Sequence, residues 1–319
     1  MTLLSVENLK TYYSTSGGFV KAVDGVSFNL EKGESLGLAG ESGCGKSTLG
    51  FSLMRLVKGG EVVGGNIKLN GMPLLEMSDR EFNRIRWDKI SLISQAAMGA
   101  LNPVYRIGAQ IVEAIKIHTK TKKSEAWKRA EDLLRQVEID PSRAFNYPHE
   151  LSGGMRQRAM IAMALALDPD LIIADEPTTA LDVVTQVQVL KLLRALQQRL
   201  GVSIILISHD LSILGQACDR VIIMYAGKIA EIGNVEVLFK NPLHPYTQAL
   251  LDSFPDIKRD KKPLTGLPGS PPDLLDPPSG CRLHPRCPEA RNICQETEPK
   301  IIDVSSNHSV ACHMVGQGG

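Results

Sequence analysis

Short, continuously apolar runs recur along most of the chain. They are long enough for buried strands and too short for core helices. These runs are residues 35–40, 90–94, 171–175, 203–208 and 220–227. Apolar residues at helical spacing lie between them, at Ala126, Ala130, Leu133, Leu134 and Val137 and again at Val187, Leu190 and Leu193. Strands that alternate with amphipathic helices predict an α/β fold with a mainly parallel sheet covered on both faces.

Two stretches of the chain depart from this alternation. Residues 1–34 combine strand-like and turn-like pieces with little helical signal, which predicts a small antiparallel β-subdomain ahead of the first helix. Residues from about 96 to 165 have helical patterns and few strand candidates. This second stretch therefore predicts a helical subdomain.

The composition changes near Pro255. Ten of the eighteen prolines fall from this residue onward, and four of the six cysteines fall in the last part of the chain. We therefore expect one large domain over residues 1–255 and an irregular C-terminal extension over residues 256–319. Within the extension, a proline-rich arm (256–280) precedes a small four-cysteine module (281–319).

The charge balance and the apolar pattern limit the classes of partner. Lys and Arg total 36 against 35 Asp and Glu, so the chain lacks the electrostatic footprint of a nucleic-acid-binding protein and we expect no nucleic acid partner. No apolar run approaches the ~20 residues that span a bilayer. Glu7 and Asn8 interrupt the N-terminus where a signal peptide would be apolar. We expect a soluble chain in a reducing cytoplasm, without structural disulfides.

The first candidate for chemistry is a glycine-rich loop. Residues 40–48 read GESGCGKST, which matches G-x-x-x-x-G-K-[ST] between a strand and a helix. Its glycines allow consecutive backbone N–H groups to converge on phosphate oxygens, and the helix N-terminus adds its positive dipole end. Lys46 is expected to reach the β- and γ-phosphates and Ser47 to bind Mg²⁺. A dinucleotide-binding turn would use G-x-G-x-x-G instead, so the loop favours a nucleoside triphosphate over a dinucleotide or a plain turn.

An acidic pair follows a later apolar run. Asp175 and Glu176 close the stretch LIIADEP. Alone, such a pair is most often a solvated turn. With a phosphate loop upstream, Asp175 is placed to hold Mg²⁺ through water and Glu176 to polarise the attacking water as a general base.

A second glycine pair opens another helix. Residues 150–158 read ELSGGMRQR, and the helical pattern continues after them. This arrangement makes a second helix N-terminus suited to an anion, or else an ordinary capped helix.

Across roughly residues 1–255 these features together resemble the nucleotide-binding subunits of ABC transporters. LSGGMRQR resembles that family's signature motif, TALD (179–182) its D-loop and ISHD (207–210) the segment of its switch histidine. The resemblance implies a P-loop NTPase core, ATP hydrolysis, and head-to-tail pairing of two subunits, each gripping the ATP of the other.

The resemblance also implies roles for single residues. Gln95 senses Mg²⁺ and the attacking water, Asp182 lies near the partner subunit, and His209 binds the γ-phosphate. Tyr13 stacks on adenine, with Tyr12 as the alternative. Ser152 and Gly154 donate to the γ-phosphate that the partner holds. The implied ATP-contacting set is Tyr13, Gly40, Ser42, Gly43, Cys44, Gly45, Lys46, Ser47, Thr48, Gln95, Ser152, Gly153, Gly154, Gln157, Asp175, Asp182 and His209.

A narrower resemblance rests on NPLHPYTQALL (241–251), the proline-rich arm and the terminal cysteines. Together they are similar to the ATPase subunits of oligopeptide and dipeptide importers, a branch that includes nickel importers. The stretch QAAMGALNP departs from the usual acidic-proline sequence of that branch. The resemblance implies two membrane permeases, a second ATPase subunit or a second copy, an external solute-binding protein, and a peripheral position at the cytoplasmic face of the membrane.

Four cysteines, Cys281, Cys287, Cys294 and Cys312, have the spacing C-x5-C-x6-C-x17-C. In a segment with little core of its own, they suggest that a metal centre contributes the folding energy. Zinc sites use more closely spaced pairs. Four thiolates can hold a 4Fe–4S cluster, which members of the peptide-importer branch contain in this extension. A cluster is favoured, while zinc and an unmetallated module stay open, with His284, His308 and His313 as alternative ligands.

Three functions follow from these residues. The first is the ATPase motor of a peptide importer, with nickel or another small solute as its alternative cargo. The second is a soluble ABC-type ATPase with an iron–sulfur module, although such proteins tend to carry two cassettes or long coiled-coil insertions. The third is a redox-sensing regulator.

Overall fold

The computed structural model describes residues 1–94, 100–253 and 267–315. The strands are β1 (Thr2–Thr15), β2 (Gly18–Glu31), β3 (Ser35–Ala39), β4 (Gly60–Leu69), β5 (Met72–Pro73), β6 (Ile90–Ile93), β7 (Leu171–Asp175), β8 (Ser203–Ile207), β9 (Arg220–Tyr225), β10 (Lys228–Asn234), β11 (Ile302–Ser305) and β12 (His308–Val310). The helices are α1 (Lys46–Leu53), α2 (Asp79–Ile85), α3 (Ile107–His118), α4 (Lys123–Gln136), α5 (Gly153–Ala164), α6 (Val183–Leu200), α7 (Leu211–Ala217), α8 (Val235–Lys240), α9 (Pro245–Asp252) and α10 (Asn292–Glu296). In these described stretches, no helix is both long and apolar enough to cross a membrane.

The chain divides into two compact units that alternate along the sequence. The first unit consists of Met1–Leu3, Leu30–Ser35 and Asn70–Ile207. The second consists of Leu4–Asn29, Leu36–Leu69 and Ser208–Gly319. The predicted boundary between a domain over 1–255 and an extension over 256–319 stays a prediction, and part of the proline-rich arm lies outside the described residues.

Parallel strands form the sheet of the first unit. β6 pairs with β7, and β7 with β8, both in parallel. Every residue of β7 and β8 is buried, which is why both strands read as continuous apolar runs in the sequence. α3, α4 and α5 contact one another in the stretch predicted to be a helical subdomain. The helical prediction is confirmed over residues 107–164, while its first residues, 96–99, lie outside the described residues.

The second unit contains both kinds of strand pairing. β1 pairs with β4 antiparallel, in the order β2-β1-β4, so the predicted antiparallel subdomain is confirmed and gains a strand that follows α1. β3 pairs with β9 in parallel. From β9 onward the order β9-β10-β12-β11 is antiparallel, and its last two strands come from the C-terminal extension.

A buried carboxylate binds the C-terminal extension to β10. Glu231 is 0% exposed, and its two oxygens accept the backbone N–H groups of Leu243 at 2.9 Å and His244 at 3.0 Å. The ring Nε2 of His308 on β12 lies 2.6 Å from the same carboxylate. The Nε2 atom of His308 is therefore bound to Glu231, so it is not available to ligate a metal ion in the four-cysteine module.

His244 lies beside this carboxylate and begins α9. Its Nδ1 accepts the backbone N–H of Tyr246 at 3.1 Å. Burial lowers the pKa of the His244 imidazole to about 4. The ring is therefore neutral at physiological pH and serves as the cap of α9.

We expect His244 to make the fold acid-sensitive. In the unfolded chain it titrates near its ordinary pKa of ~6.5, so unfolding takes up a proton between about pH 6.5 and 4. Its contribution, about 3 kcal/mol, is fully present above pH ~6.5 and is lost as the pH falls towards 4. His244→Asn keeps an acceptor for the Tyr246 N–H and cannot titrate. The melting temperature of the wild type should therefore fall more steeply than that of the variant over this range, and parallel profiles would contradict the assignment.

Candidate functional site

The phosphate loop joins β3 to α1 in the second unit, and steric contact requires glycine at two of its positions. The backbone φ is 145° at Gly40 and 104° at Gly45. A Cβ atom at Gly40 would lie 2.2 Å from the carbonyl oxygen of Met224. One at Gly45 would lie 2.0 Å from the carbonyl oxygen of Ala22. Both distances are far below van der Waals contact, so no other residue fits without moving the loop.

Lys46 is the first residue of α1 and folds back along the loop. Its Nζ donates to the carbonyl oxygens of Gly40 at 2.8 Å and Glu41 at 2.9 Å. Its side chain is largely buried, whereas Ser42 and Gly43 at the tip of the loop are exposed. A fixed ammonium group at a helix N-terminus is the arrangement that binds phosphate groups.

Cys44 fills space inside the loop. It is buried, and burial raises the pKa of its thiol, so that the neutral form is favoured. Its backbone carbonyl accepts the N–H of Gly227 at 2.9 Å, which ties the loop to the turn after β9.

The two candidate adenine-stacking tyrosines have different surroundings. The Tyr12 hydroxyl donates to Asp24 at 2.7 Å, and burial together with this bond raises the pKa of Tyr12 to about 12. The Tyr13 hydroxyl lies 3.2 Å from Oγ1 of Thr48 on α1. Tyr13 therefore adjoins the phosphate loop, and the geometry favours it over Tyr12.

The acidic pair lies at the end of β7 in the first unit. Asp175 is buried, and Glu176 has a left-handed φ of 45°. The Glu176 carboxylate accepts the hydroxyl of Thr179 at 2.9 Å, and its backbone N–H donates to Ile207 at 2.9 Å. A non-glycine residue in this conformation is held by its surroundings, as is common at functional sites.

The signature stretch opens α5 in the same unit. Ser152 caps the helix by accepting the N–H of Met155 at 3.3 Å. A Cβ atom at Gly154 would lie 2.6 Å from Cγ2 of Thr185 on α6, so the signature stretch and the start of α6 approach closely. Asp182 caps α6, and its hydrogen bonds from Thr185 lower the pKa of that carboxyl.

A buried amide accompanies the signature stretch. Gln157 on α5 is buried, and in the described part of the chain its Nε2 has no hydrogen-bond partner. Buried side-chain donors without a partner are uncommon in folded proteins, so Gln157 stands out among the predicted ATP contacts.

The predicted site residues are thus distributed over both units. The second unit holds the phosphate loop, Tyr13 and the exposed His209. The first holds Asp175, Glu176, Asp182 and the signature residues Ser152, Gly153, Gly154 and Gln157. Gln95 lies outside the described residues. The roles of these residues as ligands and catalysts stay predictions.

The four thiols of the C-terminal module are neighbours. Burial raises the pKa of Cys281 to about 11, and the nearby thiols of Cys294, Cys287 and Cys312 add to this rise. Burial likewise raises the pKa of Cys287 and of Cys312. Within residues 1–94, 100–253 and 267–315, however, no three or more His, Cys, Asp or Glu side chains are arranged to hold a metal ion.

Sequence reasoning missed the residues that support the phosphate loop from outside it. The Tyr246 hydroxyl accepts the backbone N–H of Glu41 at 2.7 Å, and the Arg286 guanidinium pairs with the Glu41 carboxylate. Glu41 occupies a position of the loop motif where any residue is allowed. The sequence offered one signal for these contacts, the segment NPLHPY, which ends at Tyr246. The segment resembles part of a family pattern, but that resemblance assigns it no function.

Two protein-family models match parts of this chain. Residues 23–179 match the family described as ABC transporter, and residues 230–294 match the C-terminal region of oligopeptide/dipeptide transporters. The first match contains the phosphate loop, the signature stretch and the acidic pair. The second contains Glu231, Tyr246 and three of the four cysteines.

Named relatives match nearly the whole chain. The oligopeptide transport ATP-binding protein AppD of Bacillus subtilis is 46% identical over 100% of this chain and 98% of its own length. The dipeptide transport ATP-binding protein DppD of Escherichia coli is 44% identical over 98% of this chain and 97% of its own. Among solved structures, the dimeric ATP-binding cassette MJ0796, bound to ADP and Pi, matches with a TM-score of 0.66 and 27% identity over 73% of this chain and 99% of that one.

The steric requirement at Gly45 predicts a large difference between two glycine variants. Gly45→Ala must displace the loop and should weaken ATP binding at least tenfold, about 1.4 kcal/mol. Gly59→Ala is the matched control, because its φ is 77° and no atom lies within 4 Å of the added Cβ. It should cost ~1 kcal/mol of stability and leave ATP affinity unchanged. Equilibrium binding of a fluorescent ATP analogue measures the ATP affinity of the two variants. Equal affinities for Gly45→Ala and Gly59→Ala would contradict the steric argument.

Proposed function

The chain belongs to the family of ABC transporter ATP-binding proteins, and on this premise we propose that it is the ATP-hydrolysing subunit of an importer of dipeptides or oligopeptides. The observation that carries the ATP part is the phosphate loop, whose backbone excludes side chains at Gly40 and Gly45 and directs Lys46 to a helix N-terminus. The names of the full-length relatives support the peptide part and favour peptides over nickel.

ATP and Mg²⁺ fit the residues present. The loop offers backbone N–H groups and the Lys46 ammonium to the phosphates. Ser47 and Asp175 offer the hard oxygen ligands that Mg²⁺ prefers, with Gln95 as the third predicted ligand. When bound, Mg²⁺ supplies positive charge that offsets the charge developing on the transferred phosphoryl group. Tyr13 provides the face for the adenine base.

We expect hydrolysis to depend on Glu176 and on groups that stabilise the charge of the γ-phosphate. The Glu176 carboxylate accepts the proton of the attacking water, and His209 donates to the γ-phosphate. The signature stretch of a second ATPase subunit donates to the same phosphate, and Asp182 lies near that subunit. ATP therefore favours the closed pair of subunits, and its hydrolysis removes the group that bridges them.

Closure has to be transmitted to partners. We expect two permease subunits, a companion ATPase subunit or a second copy of this chain, and an external solute-binding protein. The ATPase then lies peripherally at the cytoplasmic face of the membrane. The dimeric cassette solved with ADP and Pi supports the pairing of ATPase subunits.

The four-cysteine module is proposed to hold a 4Fe–4S cluster. Two of the cysteines are joined through the backbone, because the N–H of Cys281 donates to the carbonyl oxygen of Cys294 at 2.8 Å. Each thiolate of such a cluster binds a different iron, so the sulfurs stand further apart than the ligands of one zinc ion. A cluster therefore does not require four thiols arranged around one metal ion, an arrangement that the described residues lack. The cluster, when bound, supplies cross-links in a segment with little core.

Glu176→Gln tests the ATPase assignment. The amide keeps the shape of the side chain and cannot accept a proton, so ATP should bind while turnover falls ~100-fold or more. The variant should accumulate with ATP as a closed assembly of two ATPase subunits, visible by size-exclusion chromatography. A variant that turns over ATP at the wild-type rate would sink the role given to Glu176.

Cys287→Ser tests the cluster. The wild type, purified without oxygen, should be brown, absorb near 400 nm and contain about four irons per chain. The variant should lose the colour and the iron. Cys218→Ser removes a buried thiol elsewhere in the same unit and should keep both. A colourless wild type that contains stoichiometric zinc would rule the cluster out.

A further inference from the structure

An arginine of the four-cysteine module reaches the phosphate loop, and both belong to the second unit. Arg286 directly precedes Cys287, and its side chain is only 8% exposed. Its Nη1 lies 2.9 Å from one carboxylate oxygen of Glu41 and its Nη2 lies 3.2 Å from the other. This is the bidentate geometry that fixes the orientation of both groups.

The remaining donors of Arg286 are also used. Nε donates to the carbonyl oxygen of Pro268 at 2.9 Å, and Nη1 donates to the Tyr225 hydroxyl at 3.2 Å. Nη2 also lies 3.5 Å from the carbonyl oxygen of Leu267. The guanidinium is thus held from several sides, so it acts as a fixed support, unlike the mobile ion pairs of protein surfaces.

Glu41 is the residue through which this support reaches the lysine. Its carbonyl oxygen accepts from Lys46 Nζ, and its N–H donates to the Tyr246 hydroxyl. Its carboxylate faces Arg286. One residue therefore connects the phosphate-binding ammonium on one side of the loop with the four-cysteine module on the other.

The same turn of the module makes a second contact near the loop. Arg282 is buried and donates to the carbonyl oxygen of Ala226 and to the Asp24 carboxylate. Gly227, which follows Ala226 in the sequence, donates its N–H to the carbonyl oxygen of Cys44 in the phosphate loop. Arg282 follows Cys281 and Arg286 precedes Cys287 in the sequence. Ordering of these two cysteines therefore also orders the contacts that the two arginines make near the phosphate loop.

We propose that Arg286 is a positioning residue for the phosphate loop, through which the folded four-cysteine module sets the affinity for ATP. The inference rests on the proposed ATP-binding function. Without the guanidinium, the partly buried Glu41 carboxylate turns towards water. Its backbone then moves, and with it the carbonyl oxygen that directs Lys46.

The test is Arg286→Gln in the full-length chain, assembled with its permeases and companion ATPase. The KM for ATP should rise about tenfold, while kcat at saturating ATP stays within about twofold, because Arg286 touches no reacting group. Arg291→Gln removes the same charge from an exposed position of the same module and should leave the KM unchanged. A merely structural role would lower the melting temperature of the protein and leave the KM of the folded protein unaltered.

Two further variants make the result decisive. In the double variant Arg286→Gln, Glu41→Gln no buried charge is unpaired, so the KM should return to within about threefold of the wild type. Arg286→Lys keeps the charge and loses the bidentate geometry, so its KM should be intermediate. If Arg286→Gln does not fold, the KM of Arg286→Lys for ATP tests the proposal in its place.

The proposal is overturned if Arg286→Gln, or Arg286→Lys in its place, folds and has the wild-type KM. This outcome is distinct from failure of the proposed function. A wild-type assembly that neither binds nor hydrolyses ATP contradicts the proposed function, whereas a wild type that does both, with an unchanged KM in the Arg286 variants, contradicts this inference alone.

Discussion

The close approach of two glycine backbones to neighbouring carbonyl groups determines where the candidate chemistry of the second unit lies. Gly40 lies against Met224 at the end of β9, and Gly45 against Ala22 on β2. These contacts fix the path of the chain between β3 and α1, and so the direction in which the loop N–H groups and Lys46 point. The phosphate-binding groups are thus positioned by backbone packing, and the exposed side chain of Ser42 is under no such constraint.

What the sequence predicted was local or periodic. β7 and β8 are buried along their whole length, so both sides of each strand are apolar, and their ends agree with the predicted runs to within one residue. The phosphate loop was predictable for a related reason, since left-handed φ angles and steric exclusion require glycine at fixed spacing. Tyr13 was chosen over Tyr12 by its spacing in the family resemblance, and the structure adds that Tyr13 adjoins Thr48 of α1 whereas Tyr12 binds Asp24.

The contacts that sequence reasoning missed connect residues far apart in the chain. Glu231 and His308 are separated by 77 positions, and Glu41 and Arg286 by 245. Neither pair has a periodicity, and each member has an ordinary interpretation: a glutamate in a variable loop position, an arginine next to a cysteine, a histidine in a polar tail. The structural roles of Glu41 and Arg286 therefore depend on a tertiary contact, which no local sequence pattern predicts.

These pairs also explain how a segment with little core takes up a single position. The buried apolar residues of its described part are Leu283, Cys294, Val310 and Ala311. Burying charges costs free energy that pairing only partly offsets, so an ion pair such as Arg286–Glu41 adds little net stability, whereas a buried charge without a partner is strongly destabilising. A displaced arrangement would leave Arg286 buried without its carboxylate partner and would remove the His308 ring from Glu231. The module therefore has one favourable docking position, and the same arginine that selects it holds the phosphate loop.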